Sequence, residues 1–231
     1  MDKPKIPLLE PSAISRRQRR LPHWEADNAI YFVTFRLADS LPESAVEAYR
    51  LAKEDLLRRK KRAPQEEQRE ISLGLWRLYE TRISELLDSG RGECLLANST
   101  AAMVVRGALQ HFDWERYDLY AYAIMPNHVH TVVGLTTVGS LERVLHSWKS
   151  FSSNQINRVL GRSGPLWQQE SFDHLIRSEA DFDRCVKYTL ENPDKAGLHD
   201  WPWVWSAFSG PSVDHGLGYR LEAGATGGGV Q

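Results

Sequence analysis

His128-Val129-His130 is the shortest stretch of this chain that could do chemistry. On a strand, residues i and i+2 share a face, so both imidazoles project side by side while Val129 packs behind them. Two such imidazoles can hold one divalent ion and leave further positions open to substrate and water. The spacing alone equally fits two structural histidines. Tyr188 and Asn192 form a second pair, four apart on a predicted helix and so one turn apart on one face. The Asn192 amide oxygen is a plausible third metal ligand, with the Tyr188 hydroxyl about one helical turn away. The plainer alternative makes Tyr188 part of an amphipathic core and Asn192 a helix cap before Pro193.

Basic residues suggest what such a site would act on. The net charge of −1 does not by itself announce a nucleic-acid binder. Its distribution does more: Lys3, Lys5, Arg16, Arg17, Arg19 and Arg20 crowd the stretch from Lys3 to Arg20, opposed there by Glu10 alone. A second cluster, Arg58-Arg59-Lys60-Lys61-Arg62, falls inside a helical pattern, where a solvated face is the ordinary reading. Cys94 and Cys185 are too few for a disulfide scaffold or a cysteine-built zinc site, and both are read as reduced. No apolar run approaches the roughly 18 residues a membrane span requires. Met1 to Pro11 lacks the apolar stretch of a secretory signal, which predicts a cytoplasmic protein without a membrane partner.

The elements that must position these residues follow from periodicity. Residues 1–28 read as an extended basic arm, and Ile30 to Leu37 as a strand rich in β-branched and aromatic residues. Ser40-Leu41-Pro42-Glu43 opens a charged helix that runs to about Arg62. After a break at Ala63-Pro64, a second helix extends over 65–89 and stops at Gly90 or Gly92. A third occupies about 98–112, starting at Asn98 or Ser99. Tyr117 to Met125 and His128 to Gly134 are strands joined through Pro126-Asn127, which is turn chemistry. Ser140 begins a helix through Trp148 to Leu160. Leu166-Trp167-Gln168 and Phe172 to Arg177 are extended candidates, and a helix from Glu179 reaches the vicinity of Asn192. This order predicts an α+β fold, a ferredoxin-like antiparallel sheet with helices packed on one face, plus an inserted helical segment at about 43–95. The expected domain is 29–207. The tail 208–231, with Gly227-Gly228-Gly229, reads as disordered.

Taken together, several blocks resemble one family. Met125-Pro126-Asn127-His128-Val129-His130 resembles the MPNHVH signature of the single-tyrosine HUH transposases. Trp167 to His174 is similar to that family's WQ-x-x-x-F-D-H segment, and Tyr188 to Leu198 to its Y-x-x-x-N-P-x-K-A-G-L block. Trp201-Pro202-Trp203 fits the usual end of the domain, and the strand Tyr31 to Leu37 behind a basic arm resembles REP-associated members in particular. Asn192 stands where other branches use glutamine, and Thr189 where an apolar residue is commoner. The helical stretch 43–95 is longer than compact members need.

The resemblance implies a transposase that cleaves and rejoins hairpin-forming, REP-like single-stranded DNA. Its cofactor would be Mg2+ or Mn2+, held by His128, His130 and Asn192. Tyr188 would be the nucleophile, giving a 5′-phosphotyrosine, with His128 and His130 as its catalytic companions. Arg16, Arg17, Arg19, Arg20 and Lys149 are the candidate DNA contacts, and Trp24 or Trp167 could stack on bases, although Trp167 also suits a core. Of the remaining histidines, His23 and His146 read as structural, and His174 is the one placed to reach the site. A monomer or a homodimer would serve. Two rival readings remain: a repeat-binding protein without catalysis on the same fold, and a metal-dependent phosphodiesterase without a covalent step.

Overall fold

The computed structural model describes residues 15–18, 22–25, 29–136 and 140–208. Arg19, Arg20 and the tail expected beyond 208 lie outside the described residues. Within the segment expected as an extended arm, β1 (Ser15–Gln18) pairs antiparallel with β2 (Pro22–Glu25), which places Arg16 opposite Trp24.

The main sheet has five strands. β3 (Ile30–Arg36), β4 (Tyr117–Ile124), β5 (His128–Leu135), β6 (Phe172–Ile176) and β7 (Val204–Ser206) lie in the order β6-β3-β5-β4-β7, every neighbour antiparallel. The first four reproduce the ferredoxin-like order, with a helical crossover between β3 and β4 and another between β5 and β6. The expected α+β fold is therefore present. The three-residue β7 adds an edge strand just after Trp201-Pro202-Trp203, the expected end of the domain.

Helices α4 (Ser99–Gln110) and α5 (Leu141–Val159) cover one face. Their starts are those anticipated: Asn98 Oδ1 accepts from the Thr100 and Ala101 amides, and Ser140 Oγ accepts from the Arg143 amide. Between them and the sheet lies a core of Tyr31, Val33, Phe35, Val129, Val133 and Trp148.

The opposite face is covered as well. α1 (Glu43–Arg62), α2 (Gln65–Tyr79), a π-helical segment Glu80–Ser84, α3 (Glu85–Asp88) and α6 (Glu179–Lys195) pack there around Phe32, Trp76, Tyr79, Val132, Phe182 and Tyr188. Helices on one face thus describes α4 and α5 only. The inserted segment and α6 bury the second face, which is why β3 is apolar in both phases of its alternation, with all seven residues buried.

The insertion is tied down at its exit. Gly92 has φ +86, and a Cβ there would meet Asp39 at 2.9 Å, while the Glu93 amide donates to Asp39 Oδ2 at 2.7 Å. Only glycine fits this close passage without strain. The helix expected over 65–89 is continuous to Asp88, but its five-residue π segment rotates the last turn relative to α2. No helix of the described residues is long and apolar enough to cross a membrane.

Candidate metal and nucleophile site

Strand alternation sends His128, His130 and Val132 of β5 toward the second face, beneath the insertion and α6. Register sets Thr34 of β3 and Ala123 of β4 on either side of His130, and Arg36 opposite His128. Both imidazoles are completely buried. Their Nε2 atoms face each other at 2.9 Å, with Asp88 Oδ1 at 3.7 Å from His128 Nε2.

The outer nitrogens are held by a polar layer that reaches into the insertion. Asn127 Nδ2 donates to the carbonyls of Leu87 at 3.1 Å and Arg91 at 2.9 Å. This fixes the amide, so Asn127 Oδ1 is the atom facing His128 Nδ1 at 2.7 Å. An acceptor there requires the proton of neutral His128 on Nδ1, and its Nε2 lone pair then points into the site. His130 Nδ1 lies 2.7 Å from Thr34 Oγ1, which receives the Tyr79 hydroxyl at 2.8 Å. A divalent ion that takes the His130 Nε2 lone pair would leave the Nδ1 proton on the Thr34 side.

Burial pushes His128 down to about 3. Burial, with His128 alongside, holds His130 well below its ordinary value. Both are neutral at physiological pH, which is the ligating form. Burial raises the Asp88 carboxyl to about 6 despite the Ser84 and Asn192 contacts that oppose it.

Asn192 and Tyr188 come from α6, which begins at a Ser178 cap accepting from the Asp181 amide. The helix runs through Pro193 to Lys195, three residues beyond the end expected at Asn192, so Asn192 holds helical geometry. Its amide lies against Asp88 and both imidazoles closely enough to favour their charged forms. Yet neither amide atom makes a well-directed hydrogen bond among the described residues, and Asp88 Oδ1 is likewise unpartnered. Buried oxygens without partners are costly, and here they lie beside the two imidazole Nε2 atoms. Asp88, His128 and His130 offer ligand atoms that all lie within 4.8 Å of one another. These donors fit a divalent cation.

Tyr188 packs edge-on against His130 with ring centroids 5.4 Å apart and against Phe32 at 5.6 Å. Its hydroxyl is hydrogen-bonded to Ser84 Oγ, and Ser84 Oγ in turn approaches Asp88 Oδ2 at 3.4 Å. Burial raises the Tyr188 phenol above its usual value, so it ionises only with help from a cation or a base. An open groove of about 530 Å³, lined by Glu80, Ser84, Glu85, Asp88, Tyr188, Asn192 and Lys195, leads from solvent to this hydroxyl.

The fold thus brings together His128, His130, Tyr188 and Asn192, and adds Asp88, Ser84, Thr34 and Tyr79. Lys149 is elsewhere. It lies on α5, across the sheet, and its ammonium donates to the Gln168 and Gln169 carbonyls and to Ser171 Oγ at 3.0, 3.1 and 2.6 Å. Burial lowers it to about 8. Trp167 is core, donating its indole N–H to Ser152 Oγ. His174 does not reach the site: its Nε2 pairs with Asp181 at 2.9 Å, and its ring packs on Trp76. With Cys185 these two form a second group of metal-ligand types, but Asp181 is already engaged by His174, Arg184 and the Arg177 amide. Thr34 was the residue most open to foresight, because strand pairing sets it directly beside His130.

Residues 98–189 match the family model described as Transposase IS200 like. That span carries α4, the β4–β5 hairpin with both histidines, α5, β6 and Tyr188. The match covers less than half of the chain. The insertion lies before the matched span and Asn192 just after it. A solved structure described as the REP-associated tyrosine transposase bound to a REP hairpin is also similar to this chain. Its TM-score is 0.47 and its identity 16%, over 82% of this chain and 81% of the other. No curated protein matches the chain.

Proposed function

We propose that this chain is a single-strand DNA transposase that cleaves and rejoins hairpin-forming, REP-like DNA through Tyr188. The observation that carries the reading is the meeting of Tyr188 with two buried, neutral imidazoles whose Nε2 atoms converge 2.9 Å apart beside the unpartnered Asn192 amide. His128, His130 and Asn192 would hold Mg2+ or Mn2+. Once bound, the ion would offset charge developing on the oxygens of a scissile phosphate.

The chain's own residues do the rest. Asn127 and Thr34 hold the two rings in their ligating orientation. The Tyr188 oxygen attacks phosphorus, the bond to the 3′ oxygen breaks, and a 5′-phosphotyrosine and a free 3′-hydroxyl result. Ser84 holds the phenolic oxygen beside the histidines before attack. The link retains the phosphodiester energy, so the reverse attack by a 3′-hydroxyl rejoins strands without ATP. Within a single copy Tyr188 packs against His130, and either a monomer or a homodimer fits this reading. We take 29–207 as the catalytic unit and the basic arm, with Arg16, Arg17, Arg19 and Arg20, as the phosphate and hairpin contact.

Incubation with a labelled REP-like hairpin strand in Mn2+ tests this. Cleavage should disappear with EDTA or in His130→Ala while hairpin binding persists. Cleavage surviving both would remove the metal from the reading.

A further inference from the structure

In the reading above the inserted helices contribute only Ser84, yet their last turn also ends on the site. Asp88 is the last residue of α3 and one of the few groups there with a negative charge to offer. We propose that Asp88 is a fourth ligand, so that the insertion converts a neutral His-His-Asn set into one carrying a carboxylate selective for hard divalent cations.

Three observations place it there. Asp88 Oδ1 is buried, has no hydrogen-bond partner among the described residues, and points at His128 Nε2 from 3.7 Å. The other oxygen, Oδ2, is approached by Ser84 Oγ at 3.4 Å, which fixes the rotation of the carboxylate. The Leu87 carbonyl beside it accepts from Asn127, so the same turn that delivers Asp88 also orients His128. Ser84 and Asp88, four residues apart, share one face of the helix that follows the π segment. By contrast, Asp181 in the second His/Asp/Cys group is fully hydrogen-bonded and has nothing left for an ion.

The chemistry gives the insertion a purpose. Two imidazoles and an amide are all neutral and suit zinc or copper at least as well as magnesium. Mg2+ and Mn2+ favour anionic oxygen, which one carboxylate supplies, and the cation in turn offsets the cost of desolvating that carboxylate. The inference rests on the metal site proposed above.

The test is metal binding by the full chain without DNA, read from the loss of the free Mn2+ electron paramagnetic resonance signal and repeated with Zn2+ by calorimetry. Asp88→Asn should weaken Mn2+ at least about tenfold and Zn2+ distinctly less. Glu85→Gln, which removes an exposed carboxylate from the same groove, should stay within about threefold of wild type for both ions. Asp88→Ala serves the same comparison if Asp88→Asn does not fold, and circular dichroism in EDTA decides which is used. Mn2+ affinity unchanged in the Asp88 variant but lost in His128→Ala would overturn the ligand role and leave the histidine site standing. Absence of Mn2+ binding by the wild-type chain would overturn both.

Discussion

Replacing Thr34 with valine removes one oxygen while keeping the side chain's shape, so its cost can be worked out from the bonds that oxygen makes. Thr34 Oγ1 sits 2.7 Å from His130 Nδ1 and receives the Tyr79 hydroxyl at 2.8 Å. His130 and Tyr79 are both completely buried, so water cannot replace what is removed. Each orphaned group costs about 1–3 kcal/mol, so Thr34→Val should destabilise the metal-free protein by about 2–6 kcal/mol. Tyr79→Phe alone should cost only about 1 kcal/mol, because Thr34 keeps its bond to His130. The two changes should not add. Once valine is present the Tyr79 hydroxyl has no acceptor, so adding Tyr79→Phe should be neutral or stabilising. Urea unfolding of the four proteins in EDTA measures this cycle. If Thr34→Val costs less than about 0.5 kcal/mol, or Tyr79→Phe costs the same in both backgrounds, the polar layer behind His130 is not built as described.

The same layer predicts that Thr34→Val weakens Mn2+ binding by about 10–100-fold, readable by calorimetry, because the ring loses its orienting partner. His128 is pushed down to about 3 by burial, so its neutral form stabilises the fold above its unfolded value of about 6.5, and that stability is lost as pH falls toward 3. Between pH 7 and pH 5 the metal-free chain should lose about 2 kcal/mol through this group, a loss absent in His128→Asn by urea unfolding at the two pH values. Lys149→Met should cost about 1–3 kcal/mol by releasing the 168–171 segment and leave hairpin affinity nearly unchanged; a large fall in affinity at unchanged stability would make Lys149 a DNA-binding residue instead. Replacing Arg16, Arg17, Arg19 and Arg20 by alanine should lower the salt dependence of hairpin binding by about 0.7–0.9 for each phosphate no longer neutralised, measured by titration at several salt concentrations.

What was legible in the sequence was local. Period two placed His128 and His130 on one face, Pro126-Asn127 gave the hairpin, and the four-residue step joined Tyr188 to Asn192. Asp88 and Ser84 were invisible because their place depends on a π segment that helical periodicity does not reveal, and on packing across more than a hundred residues of chain. The covered second face left a trace that could have been read: Ile30, Phe32 and Val132 are apolar in the same phase as the histidines, as in strands buried on both sides. Lys149 illustrates the converse. Its charge suggested phosphate, but acceptors from the segment after Trp167 already occupy its donors.

The central claim is that Tyr188 becomes covalently joined to DNA. Labelled hairpin DNA incubated with the chain and Mn2+, then run on a denaturing gel, tests it most directly. A shifted, protease-sensitive band that vanishes in Tyr188→Phe is the expected result. Cleaved DNA without that band, persisting in Tyr188→Phe, would contradict the claim and indicate a metal-dependent phosphodiesterase.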